Sequence, residues 1–120
     1  MKDIIKTLQE KREKRRFPRI EVQLKVDIKT TYIYTTASVI NISERGLFIR
    51  TQNPLPVGSE IGITLYFPAI DAPLTFMGVV RWNRNMSEDV PGGMGVELIN
   101  PSDELLKTLR DQIARTPKNF

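Results

Sequence analysis

Arg15 and Arg19 flank a Phe17-Pro18 dipeptide, and a second polar cluster, Asn41-Ile42-Ser43-Glu44-Arg45-Gly46, follows further along the chain. The residue before a proline is biased away from helical dihedrals, so 15–19 reads as extended chain. In that conformation the side chains of Arg15 and Arg19 share one face roughly 13 Å apart, at about 3.3 Å per residue, and two guanidinium forks can bracket one ligand. A guanidinium makes paired hydrogen bonds to phosphate oxygens and to the O6/N7 edge of guanine, where lysine would supply only a point charge. Asn41 and Ser43 are two apart, so on a strand they face outward together while Ile40 and Ile42 turn into the core. Their amide and hydroxyl suit a purine edge, and Gly46 permits either a positive φ or a close backbone approach. The same stretch also reads as a plain turn whose polar side chains satisfy their own backbone. Trp82, the single tryptophan, shares a strand face with Gly78 four residues earlier; it either borders an open patch on which a base stacks or packs into the core.

Six strands position these groups. Val22, Leu24, Val26 and Ile28 alternate with polar residues, the period of a strand with one wet face. Further strands are expected at Thr36–Ser43, Gly46–Thr51, Glu60–Phe67, Leu74–Arg84 and Met94–Ile99, separated by Gly, Pro, Asn or Asp. Short, regularly punctuated strands predict an all-β antiparallel barrel, since closure hides the edges. Before the barrel, Asp3 can cap a helix reaching about Lys14, with Ile4, Ile5 and Leu8 as a thin apolar stripe. After it, Ser102 is the expected N-cap of a helix whose stripe of Leu105, Leu106, Leu109 and Ile113 covers one barrel opening. The organisation is therefore an N-terminal helix or arm (1–13), a barrel domain (14–100), a C-terminal helix (101–115) and a frayed tail (116–120).

A chain of 120 residues has room for one domain. It lacks cysteine and histidine, which removes disulfides, thiolate zinc sites and the commonest general base. No metal site, cofactor or catalytic carboxylate pair is expected; Asp71, Glu88, Asp89, Asp103 and Glu104 read as surface charges, and the chain as a non-enzyme. There is no long apolar run and no apolar block at the start, so membrane insertion is not expected and the chain reads as cytoplasmic. Residues 1–19 carry eight Lys/Arg against three Asp/Glu, and the rest carries ten against eleven. The basic character belongs to the N-terminal segment, which points to a phosphate-bearing partner or simply to a solvated arm.

The R-x-x-x-R of Arg15–Arg19 and the N-x-S-x-x-G of Asn41–Gly46, in this order, with six strands after the first and Gly93-Met94-Gly95-Val96-Glu97 near the end, resemble the PilZ domain family. The resemblance covers roughly residues 14–100 and implies a six-stranded antiparallel PilZ-type split β-barrel that binds cyclic di-GMP through Arg15, Arg19, Asn41, Ser43 and Gly46. Cyclic di-GMP offers arginine both phosphates and guanine edges. Gly78-Val79-Val80-Arg81-Trp82 is similar to members that place an aromatic near the bound guanine, which adds Trp82. The residue before R-x-x-x-R is associated in the family with holding one ligand or an intercalated pair; here it is Lys14, with Arg16 adding charge nearby. The resemblance implies a receptor that changes conformation, its N-terminal segment folding over the ligand, and signals to an unidentified effector protein in motility or biofilm regulation.

Two other readings stand beside it. A PilZ-like scaffold without ligand would serve protein interaction alone, but such members usually lack the arginines. A small basic barrel could bind single-stranded nucleic acid; this would need basic and aromatic residues interleaved along several strands, and outside residues 1–19 the charge is slightly negative.

Overall fold

Residues 19–116 are described by the computed structural model. The strands are β1 (Ile20–Lys29), β2 (Tyr34–Ile42), β3 (Gly46–Arg50), β4 (Glu60–Tyr66), β5 (Leu74–Arg84) and β6 (Gly93–Leu98), followed by helix α1 (Asp103–Arg115). All pairings are antiparallel, and in the order β1-β2-β3-β6-β5-β4 the sheet closes into a barrel through β1 against β4. The expected N-terminal helix, with Lys14, Arg15 and Arg16, lies outside the described residues.

Alternation along β1 sends Val22, Leu24, Val26 and Ile28 inward, where they meet Ile61, Ile63 and Leu65 of β4 and Val80 and Val96 of β5 and β6 in one core. β2 starts two residues earlier than its composition suggests, because the β1–β2 turn uses none of the usual breakers. Thr30 makes the turn instead: its Oγ1 accepts from the backbone N–H groups of Tyr32 (3.2 Å) and Ile33 (3.0 Å). Tyr34 then pairs directly with Lys29.

Ser102 caps α1 as its position suggests, accepting from the Leu105 N–H at 3.0 Å, with Asp103 and Glu104 in the first turn. Leu109 and Ile113 enter the barrel core, and Leu105 packs against it. Arg110 is ion-paired to Glu44 of the β2–β3 turn at 2.7 Å. The helix thereby closes the barrel end on which that turn lies. Thr116 is not frayed: it is buried, and its hydroxyl donates to the Gln112 carbonyl at 2.6 Å, ending the helix.

One charged group is buried on the outside of the barrel. Asp27 of β1 accepts from the hydroxyls of Tyr66 (2.7 Å), Thr36 (2.9 Å) and Tyr34 (3.2 Å), which tie β4 and β2 to β1. The Tyr66 hydrogen bond, then that of Thr36, holds the Asp27 carboxyl below its ordinary 3.8, and Asp27 in turn raises both tyrosines above 10.0. A lowered carboxyl stabilises the fold above its unfolded value and loses that contribution as pH falls through the folded one. Raised phenols act oppositely, contributing below their unfolded value and losing it as pH rises through the folded one. Because Asp27 takes part in all three shifts, Asp27→Asn should flatten both limbs of the Tm-against-pH profile relative to wild type. Parallel profiles for the two proteins would show that the cluster does not couple folding to protonation.

Candidate ligand-binding site

One lateral row of residues crosses five strands. Glu21 pairs with Asn41, Asn41 with Phe48, Phe48 with Gly95 and Gly95 with Trp82, from β1 through β2, β3 and β6 to β5. Register shifts accompany it in the β1–β2, β2–β3 and β5–β6 pairings, and two of them decide which side chains face outward. In β2 the register shifts between Val39 and Asn41, leaving Ile40 as the extra residue. Val39 and Ile42 are therefore the fully buried pair and Ile40 is only half-buried, contrary to the strict alternation that would send Ile40 inward with Ile42.

In β5 the shift falls between Val80 and Trp82, with Arg81 as the extra residue. Gly78 and Val80 are buried inside the barrel, while Arg81 and Trp82 are both exposed. Trp82 thus does not share a face with Gly78. Its bare neighbour is Gly95 on the adjacent strand, over which the indole lies so closely that a Cβ there would collide with it. Across Gly95 the Trp82 ring stacks on Phe48, with centroids 5.2 Å apart and planes 21° from parallel. The Arg84 guanidinium sits 5.2 Å from the Phe48 centroid and 5.8 Å from that of Trp82, held by a 2.9 Å hydrogen bond from its Nε to the Pro91 carbonyl.

Beside these rings, towards the α1 end of the barrel, opens a cleft of about 360 Å³, within the size range of small-molecule sites. Arg19, Asn41, Ser43, Gly46 and Trp82 all line it. So do Arg45, Phe48, Arg81, Gly95 and Glu97, which were not among the expected binding residues. Among the described residues, three arginines against one carboxylate make its wall cationic. A larger groove of about 740 Å³ along β1 and β2 shares Asn41 but, among the described residues, has no aromatic ring and one cation, Arg50.

Asn41 and Ser43 are not an outward pair. Asn41 is half-exposed, whereas Ser43 is buried and its hydroxyl accepts from the Arg45 N–H at 3.2 Å. The Ser43 N–H donates to the Gly46 carbonyl at 2.8 Å, so Ser43 fits the turn reading and shapes the loop that presents Arg45. At Gly46 the two alternatives resolve towards close approach: a Cβ would strike the Val96 carbonyl oxygen of β6, and among the described glycines only Gly58 has a positive φ. The turn is further fixed by the Leu98 N–H, which donates to the Arg45 carbonyl at 3.2 Å.

Phe48 escaped sequence reasoning because Leu47-Phe48-Ile49 is apolar on both faces, and nothing in one strand tells a ring platform from core. The signal lay in Gly93 and Gly95, two apart on one face. Side chains are missing there because rings lie over the strand, and a Cβ on Gly93 would crowd Phe48. Among the described residues no group of three or more Asp, Glu, His or Cys could hold a metal, and no helix is long and apolar enough to cross a membrane.

The family model for the PilZ domain matches residues 13–115. No curated protein matches in sequence. Among solved structures, the PilZ domain of YcgR from Escherichia coli with c-di-GMP superposes with a TM-score of 0.69 at 13% identity, over 85% of this chain and 90% of that one. The Bacillus subtilis inhibitor of motility, MotI/DgrA, does so with 0.69 at 19%, over 84% of this chain and 50% of its own, so this chain spans about half its length. The Borreliella burgdorferi PlzA protein in complex with c-di-GMP gives 0.56 at 11%, over 96% and 59%. At these identities the likeness is one of fold.

Proposed function

Because the chain belongs to the PilZ domain family, we propose that it is a receptor for cyclic di-GMP, a binding adaptor rather than an enzyme, which passes the signal to a separate effector protein. The convergence of Arg19, Asn41, Ser43, Gly46 and Trp82 on one cationic cleft beside a ring platform carries this reading. The c-di-GMP held by the YcgR domain and by PlzA in their own structures supports the choice of ligand.

In this proposal Arg15 and Arg19 grip phosphate oxygens and the O6/N7 edge of a guanine, each by paired hydrogen bonds. Asn41 offers its amide to a base edge. Ser43 and Gly46 act through the turn they shape, and Trp82, set against Phe48, gives a base a rigid face worth about 1–3 kcal/mol per stacked base. Lys14 and Arg16 add charge beside the grip and bear on whether one ligand or two are held. Engagement on both sides of Arg19 would draw the preceding residues against the cleft. The Glu44–Arg110 ion pair and the Arg45–Leu98 bond then offer a route from the ligand turn to α1.

Isothermal titration with cyclic di-GMP, beside GTP, GMP and cyclic di-AMP, tests the reading. Saturable binding of cyclic di-GMP alone, lost on Arg15→Ala and on Arg19→Ala, is the expected result, with amide-exchange protection gained across 11–19. A folded sample that takes up none at tens of micromolar would overturn it in favour of a scaffold without ligand.

A further inference from the structure

Arg81 of β5 and Glu97 of β6 meet diagonally across the two strands on the wall of the cleft, joined at 3.0 Å between Nε and Oε2. Both are about half exposed, with side-chain accessibilities of 59% and 50%. A cross-strand pair this wet contributes only about 0–1 kcal/mol to stability, so folding gains little from it. Its placement nevertheless depends on a specific device: Arg81 is the extra residue of the β5 bulge, and bulges commonly re-aim side chains beside functional sites. Glu97 is also the one carboxylate among the described residues lining a cleft that also holds Arg19, Arg45 and Arg81. For binding a polyanion that carboxylate is a liability unless it meets donors on the ligand.

Guanine supplies those donors. Its Watson–Crick edge presents the O6 acceptor, then N1–H, then the 2-amino group, and the complementary surface is one donor followed by acceptors. A guanidinium has five N–H donors and a carboxylate about four lone-pair sites, so a pair joined through one nitrogen and one oxygen keeps the capacity for such an edge. Adenine reverses the pattern, with a donor at position 6 and an acceptor at N1, and would place acceptor against acceptor at Glu97.

We propose that the Arg81–Glu97 pair reads the Watson–Crick edge of a bound guanine, with Glu97 accepting from N1–H and the 2-amino group and Arg81 donating to O6. Glu97 is thus the residue that makes the cleft selective for guanine. The assignment rests on the cyclic di-GMP reading above. It leaves the O6/N7 edge of the other base and the phosphates to the remaining arginines.

The test is a two-by-two titration of wild type and Glu97→Gln with cyclic di-GMP and cyclic di-IMP, which lacks the 2-amino group. Wild type should prefer cyclic di-GMP by about ten- to hundredfold, the range expected for hydrogen bonds to a charged acceptor. In Glu97→Gln that preference should shrink to a few-fold. Its affinity for cyclic di-IMP should hold or rise, because a negative charge has left a cationic cleft, a gain that general damage to the fold would not produce. Equal affinity of wild type for the two ligands overturns the assignment without recourse to any variant. An unchanged preference in Glu97→Gln also overturns it, while the receptor reading stands. Wild type that binds neither ligand would sink the receptor reading and this assignment with it.

Discussion

Gly95→Val should dismantle the ring platform and lower cyclic di-GMP affinity by about five- to 150-fold, while the barrel still folds. A Cβ at Gly95 would fall onto the Trp82 indole, in contact with Nε1 and only 2.5 Å from Cε2 and 2.7 Å from Cδ1. The backbone cannot retreat, because Gly95 is paired on one side with Phe48 of β3 and on the other with Trp82 of β5. The indole must therefore swing away, uncovering Phe48, which is now buried at 3% exposure. Overpacking of this kind destabilises by about 1–3 kcal/mol, and loss of a stacking face removes a similar amount from ligand binding. Since Trp82 is the single tryptophan, its emission reports the displacement directly, and a shift to the red is expected in Gly95→Val. Unchanged emission together with wild-type affinity would show that the platform tolerates a side chain at this position and does not serve the ligand.

The largest effect on stability should come from Leu65→Ala. Leu65 is wholly buried on β4, between Val26 of β1 and Leu74 of β5, and it belongs to the closing pair of strands. Truncating a buried leucine costs about 2–5 kcal/mol in transfer and cavity terms, against total stabilities of about 5–15 kcal/mol for domains. A fall in Tm of roughly 10–25 °C follows. Leu74→Ala on the neighbouring strand should cost distinctly less, because Leu74 is only half-buried. Equal losses at the two positions, followed by thermal denaturation, would mean that closure of the barrel adds nothing to the packing around Leu65.

β1 was legible because it carries a wet face, and the other strands because turn residues bound them. Val22 to Ile28 alternate with charges, and the clusters around Asn53-Pro54 and Asp71-Ala72-Pro73 punctuate the chain where the structure turns. The motif residues Arg19, Asn41, Ser43, Gly46 and Trp82 do reach one cleft. What alternation could not supply was the position of the bulges. One extra residue at Ile40 and another at Arg81 exchange the faces of everything beyond them, which misplaced Ile40 and separated Trp82 from Gly78. Cross-strand relations were also out of reach. Gly95 lies beside both Phe48 and Trp82 only because β6 runs between β3 and β5, an order in the sheet that chain order does not disclose. The cations around the platform gather in the same way, with Arg45 from a turn and Arg81 and Arg84 from one strand.

The pairing of β1 with β4 also governs how the chain reaches this state. The Asp27–Tyr66 bond spans 39 residues, so the first strand of the barrel cannot complete its contacts until the fourth has formed. During synthesis at roughly 5–20 residues per second, β1 and β2 would wait about 1–5 s as a hairpin before that partner has emerged. Once the whole chain is available, such distant pairing sets a millisecond-to-second timescale for folding, slower than for helical bundles of similar size. Until then the hairpin's open edge, later sealed by β4, is the part of the nascent chain most in need of protection.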